Sequence, residues 1–124
     1  MEEKIIYPLD GMATLNVYID AERSNRYKAA KIKRDATDIC DFSTRKAMRE
    51  GVSFPWPCRI KFTWILKDKR KDPDNVAFAK KFILDGMQQA GFLKNDSLKY
   101  IEGFTDCFEV IRGVDEKVIV EVEV

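Results

Sequence analysis

The chain has 124 residues, 45 % hydrophobic, 35 % charged and 11 % aromatic, with a formal net charge of +1. A chain of this length buries about two-thirds of its unfolded surface and is expected to form a single small domain, 1–124. It contains no histidine, which excludes Ser-His-Asp and Cys-His triads, His-ligated zinc and imidazole acid–base catalysis. Any enzymatic chemistry falls to carboxylates and lysines.

No apolar run approaches the ~20 residues of a membrane span. The opening Met1-Glu2-Glu3-Lys4 also lacks the basic-then-apolar order of a signal peptide. Cys40, Cys58 and Cys107 are odd in number and form no Cys-x-x-Cys pair, so they read as reduced thiols. The expected location is cytoplasmic. Charge is unevenly spread: residues 22–81 carry seventeen basic and eight acidic groups, a net +9, between flanks of −3 and −5. A basic middle on a near-neutral chain suits a polyanion bound on one face. A solvated helix face gives the same pattern.

In chain order, Leu15, Val17 and Ile19 alternate with polar neighbours and predict a strand over roughly 13–20. From about residue 27, Ala29, Ile32, Ala36, Ile39, Cys40 and Ala47 recur at steps of three and four, which predicts one helix, or two abutting ones, stopping at Gly51. Cys58, Ile60, Phe62, Trp64 and Leu66 then alternate with Arg59, Lys61, Thr63 and Lys67, a half-buried strand. A charged loop leads to Val76, Ala79, Ile83, Met87 and Ala90, a second helix closed by Gly91. Strands near 99–112 and 117–124 flank a turn at Gly113-Val114-Asp115-Glu116. The order β-α-β-α-β-β with a terminal hairpin predicts an α+β fold. Its sheet is expected to be mostly antiparallel or mixed, with the helices packed on one face.

The chemistry concentrates at Asp72-Pro73-Asp74-Asn75, between that strand and the second helix. Proline keeps Asp72 out of the helical region, and residues two apart in extended chain point the same way, so the two carboxylates can converge. Mg²⁺ takes hard oxygen ligands, often one or two carboxylates with waters and a substrate phosphate. The alternative is structural: Asp at a helix N-cap is ordinary and worth about 1 kcal/mol. An EF-hand is excluded, because Ala77 stands at the glycine position and Ile83 at the twelfth. Lys81 and Asp85, seven and eleven residues after Asp74, share one helical face with it. Such a lysine can offset charge on a transition-state phosphate, or form a plain i,i+4 pair. Lys94-Asn95-Asp96-Ser97 is a polar turn that offers a further carboxylate to the same end of the sheet.

Asp-x-Asp-Asn after a basic strand end, a helix reading Lys-Phe-Ile-Leu-Asp-Gly, and Asn-Asp before a strand together resemble the RusA-type Holliday-junction resolvases. The resemblance covers about residues 57–112 well and the first half loosely. It implies metal ligands at Asp72, Asp74 and Asp96, a catalytic lysine at Lys81 with Lys80 as the alternative, and a basic residue at Lys71. Asp85 matches a recurrent helix aspartate. The step from Asp74 to Lys81 is about three residues longer than in the family pattern, close to one helical turn, which keeps the face. Asn95 stands where the family has the first of two aspartates. The resemblance further implies a homodimer that nicks four-way DNA junctions in recombination and repair, using Mg²⁺, with Mn²⁺ able to substitute. It implies no small-molecule cofactor and no membrane partner. Lys67, Lys69, Arg70 and Lys71 are the expected phosphate contacts. Three other readings stand beside it: a flap- or fork-selective nuclease, a non-catalytic nucleic-acid-binding module, and a structural partner protein.

Overall fold

The computed structural model describes residues 3–10, 12 and 14–124. Met1 and Glu2 at the chain start, and Ala13 at the head of the expected strand, lie outside them. The elements are β1 (Lys4–Pro8), α1 (Leu15–Ser24), α2 (Arg26–Arg49), β2 (Cys58–Leu66), α3 (Pro73–Ala77), α4 (Lys80–Gln89), β3 (Ile101–Val110) and β4 (Lys117–Glu123). The fold is α+β with one four-stranded mixed sheet, ordered β1-β4-β2-β3. No helix among the described residues is long and apolar enough to cross a membrane.

The core follows from alternation. Ile60, Phe62 and Trp64 on β2 and Val118 and Val120 on β4 are fully buried on one side of the sheet. Against them lie Ala36 and Cys40 of α2 and Phe82, Ile83 and Met87 of α4. Each large side chain taken out of water there is worth about 1.5–3 kcal/mol before entropy is charged. Trp64 and Phe62 are therefore core residues.

Three expectations are corrected. Residues 15–24 form a helix, where alternation predicted a strand. Leu15, Tyr18, Ile19 and Ala21 turn inward at helical spacing, while Val17, which the strand reading would bury, is exposed. Tyr18 packs on Phe78 and Phe82, with ring centroids 5.4 and 6.1 Å apart. These tertiary contacts override a short local pattern. The chain then bends at Asn25, whose side chain accepts amide hydrogens from Tyr27 and Lys28 and caps α2.

The first strand is instead β1, pairing antiparallel with β4. The terminal hairpin does not form. β4 inserts between β1 and β2 and is antiparallel to both, while β3 pairs parallel to β2 on its far side. Finally, the second helix is broken. Ala79 and Lys81 donate to carbonyls three residues back, a local tightening that divides α3 from α4.

Candidate functional site

The parallel pairing of β2 and β3 governs the site. β2 and the helices α3 and α4 carry the chain up one strand and back, so β3 starts beside the start of β2, with Ile101 opposite Cys58. Asp72 and Asp74 stand beyond the other end, after Leu66. The nine residues of β2 span ~26 Å at the usual rise.

Asp72 occupies the N-cap position of α3 in extended conformation (φ −77°, ψ 140°), yet its side chain makes no cap hydrogen bond. Asp74 lies in the first turn and is exposed. Among the described residues neither carboxylate has a hydrogen-bond or ion-pair partner. Asn75 is differently employed: its Oδ1 accepts the backbone N–H of Asn16 at 2.9 Å, tying the start of α1 to the motif. The loop geometry around the aspartates is thus held by Pro73 and Asn75, and the acidic side chains are free.

Asp96 does not join them. Its turn is compact, with Asn95 accepting from the Ser97 amide and the Ser97 carbonyl accepting from Tyr100 and Ile101. It therefore stays at the β2-start end of the sheet, which corrects the expectation of a shared end. Among the described residues no group of three acidic or thiol side chains gathers that could hold a metal within one chain. Asn95 spends its side chain on this turn.

The helix lysines also separate. The tightening after α3 turns Lys80 toward the sheet. Its Nζ donates to Asp106 at 2.7 Å and lies 5.0 and 4.5 Å from the ring centroids of Phe62 and Phe104. Lys81 is exposed and unpartnered among the described residues. The break puts Asp74 on α3 and Lys81 and Asp85 on α4, where the latter two remain one turn apart. Asp85 faces α2, where its negative charge, second to burial, pushes the Cys40 thiol up to about 12. One Asp85 oxygen is buried without a hydrogen-bond partner.

Asp106 is the residue sequence reasoning missed. It accepts from Trp64 Nε1 at 2.8 Å as well as from Lys80. With Asp74, Phe78 and Phe108 it lines an open depression beside α3. Its position depends on the parallel β2–β3 register, which sets Asp106 opposite Phe62. No local motif encodes that.

Of the basic loop, Lys67, Lys69 and Arg70 are exposed, and Arg70 donates its amide to Asp68. Lys69, Arg70 and Arg112 border a second open depression with Asp68. Lys71 is engaged: its ammonium pairs with buried Glu116, which also accepts the Lys67 amide. Burial alone would raise the Glu116 carboxyl. The Lys71 and Lys67 contacts outweigh it and hold the group below the usual range. Cys40 and Cys58 are buried free thiols and Cys107 a partly exposed one. The chain matches no protein-family model and no curated protein.

Proposed function

We propose that the chain is a Mg²⁺-dependent endodeoxyribonuclease of the RusA resolvase kind, nicking branched DNA as a homodimer in the cytoplasm, with Mn²⁺ able to replace Mg²⁺. One observation carries the reading: Asp72 sits at a helix N-cap and does no capping, and Asp74 beside it is equally unengaged. A structural aspartate there would spend its oxygens on the α3 amides. Two exposed carboxylates on a backbone stiffened by proline are instead a donor set for a hard cation that also takes water and phosphate oxygens.

Bound there, Mg²⁺ would supply an activated water and offset the phosphate charge. Asp72 and Asp74 would hold it, and Asp106 at the edge of the same depression is anchored by Trp64 and Lys80. Lys69 and Arg70 would take the flanking phosphates. Lys71 contributes mainly by fixing the loop to Glu116. Lys81, unpartnered and exposed, is available to the charge that develops on the scissile phosphate. Lys80 is a positioning residue, since its ammonium is already paired.

Asp96 belongs to this scheme only through a second chain. Two opposed cuts require two sites related by a two-fold axis. A dimer whose sheets run in opposite directions would offer Asp96 of one subunit to the Asp72–Asp74 pair of the other. Subunit mixing tests this. Asp74→Asn and Asp96→Asn homodimers should each fail to nick a synthetic four-way junction. Their mixture should regain about a quarter of the wild-type sites, because half the dimers are mixed and each restores one site. No recovery, with exchange verified, would remove the shared site. Cleavage by wild type that survives exhaustive EDTA treatment would remove the metal. Nicking of flaps or forks in preference to junctions would assign the substrate to those structures.

A further inference from the structure

We infer that the bend between α1 and α2 is a second phosphate-binding surface, separate from the 67–71 loop, which holds a duplex arm of a DNA substrate. Arg23, Arg26, Lys28, Lys31, Lys33 and Arg34 fall within twelve residues that contain no acid. All six are exposed. Among the described residues only Lys31 has a carboxylate partner, Asp35 at 2.6 Å. The patch is not a by-product of core formation: of the six buried residues of α2, only Ala29 lies in the first ten.

A merely solvated helix face interleaves acids with bases. Here Lys28, Lys31 and Arg34 follow one another at steps of three, and like charges so placed repel. Arg26 and Lys28 also begin α2, whose first turn holds no acid, at the end where the helix dipole disfavours cations. The arrangement costs stability, and an anion bound from outside relieves it. Duplex DNA offers one charge per ~1.7 Å of its axis, a density that matches a crowded row of cations. Tyr27 is 74 % exposed, and the Arg26 guanidinium lies 5.5 Å from its ring centroid. Phenol hydroxyls and guanidinium groups both donate to phosphate oxygens. Apart from Tyr27, no exposed side chain in residues 26–35 is a large apolar one, which sets this helix apart from a membrane-binding one. The patch is also placed for the same substrate. The Asn16 amide donates to Asn75, so α1 starts beside the acid pair. From there to Ser24 the helix rises ~12 Å, about three to four base pairs along a duplex arm.

The identity of the anion rests on the functional reading above, but the test requires no nicking. Binding to a four-way junction and to a linear duplex is measured in EDTA across a salt series. Arg26→Gln/Lys28→Gln/Arg34→Gln should lower the slope of log K against log salt by ~2.7 for three lost contacts, and weaken binding at least tenfold at about 0.1 M salt. The same triple variant should be at least as stable to heat as wild type, because it removes repulsion within the helix. Hydroxyl-radical footprints should lose protection away from the branch point and keep it there. Lys46→Gln/Arg49→Gln, at the far end of the same helix, should leave the slope unaltered. An unchanged slope in the triple variant, an equal loss in the Lys46/Arg49 variant, or a Tm several degrees below wild type would each overturn the inference. So would unaltered DNA binding with loss of binding to phosphatidylserine vesicles, which would assign the patch to a membrane surface. A wild-type chain that binds DNA through the patch and never nicks would leave the inference standing and remove the nuclease reading. A nicking enzyme whose salt slope ignores the patch would remove the inference alone.

Discussion

Gly86→Ala separates helix propensity from helix packing, because the two give opposite signs. Exchanging a mid-helix glycine for alanine stabilises a free helix by ~1 kcal/mol. In α4, however, a Cβ on residue 86 would lie 2.5 Å from Cys40 Cβ and 2.8 Å from both the Cys40 carbonyl carbon and the Asp41 nitrogen of α2. Carbon atoms rest at ~3.5–4.0 Å, so the two helices must part by about 1 Å. Two of the three obstacles are backbone atoms, which cannot turn aside as a side chain can. Overpacking of this kind costs up to ~3 kcal/mol, and the propensity gain leaves a net loss of about 2 kcal/mol. With an unfolding entropy of ~2.1 cal/mol/K per residue, a chain of this length should lose about 8 °C in Tm. Urea and thermal unfolding followed by circular dichroism read the effect directly. A variant as stable as wild type, or more so, would show that α2 and α4 do not meet at this glycine.

Lys80→Met and Asp106→Asn should be coupled by about 1 kcal/mol in a double-mutant cycle, below a fully desolvated charged hydrogen bond because both groups stay partly wet. Coupling near zero in urea titrations would remove the pair as an anchor of α4 on the sheet. Glu116 has a folded-state pKa below the ordinary carboxyl value, so its stabilisation is present above the unfolded pKa and is lost as pH falls through the folded one. Glu116→Gln should therefore lower Tm near neutrality and shrink the loss on acidification; an unchanged acid limb would contradict the pairing with Lys71. Replacing Lys69 and Arg70 by Gln should reduce the salt slope of junction binding by ~0.9 log units for each phosphate no longer neutralised. An unaltered slope would place the DNA on another face.

The long elements were legible because their burial is periodic over many residues. β2 alternates from Cys58 to Trp64 before its buried end, and α2 keeps its apolar stripe over 24 residues. Over the short stretch 15–20, alternation and helical spacing compete. The decision came from Phe78 and Phe82, about sixty residues away, on which Tyr18 packs. β1 offers only Ile5 and Tyr7 inward, too brief a signal to stand out, and is held by a partner at the far end of the chain. The insertion of β4 between β1 and β2 has no local signature either, and it cancels the hairpin that the Gly113–Glu116 turn suggested. At the site, the motif was readable because its residues are consecutive. The distance between Asp96 and Asp74, and the presence of Asp106 beside Asp74, depend on strand order and register. That Lys80 is spent on Asp106 while Lys81 stays exposed depends on one tightened turn and on the β3 register, which residue counting does not contain.

The central claim, that Asp72 and Asp74 are metal-binding acids of a junction nuclease and not helix caps, is tested most directly by Asp74→Asn. Single-turnover nicking of a synthetic four-way junction would be measured with Mg²⁺, and junction binding without metal, on protein shown by circular dichroism to be folded. Asparagine keeps the size and much of the capping ability of aspartate but removes a charge that metal binding needs and that repels phosphate. The expected result is loss of nicking with metal-free binding equal to or tighter than wild type. Nicking by folded Asp74→Asn at the wild-type rate would contradict the claim.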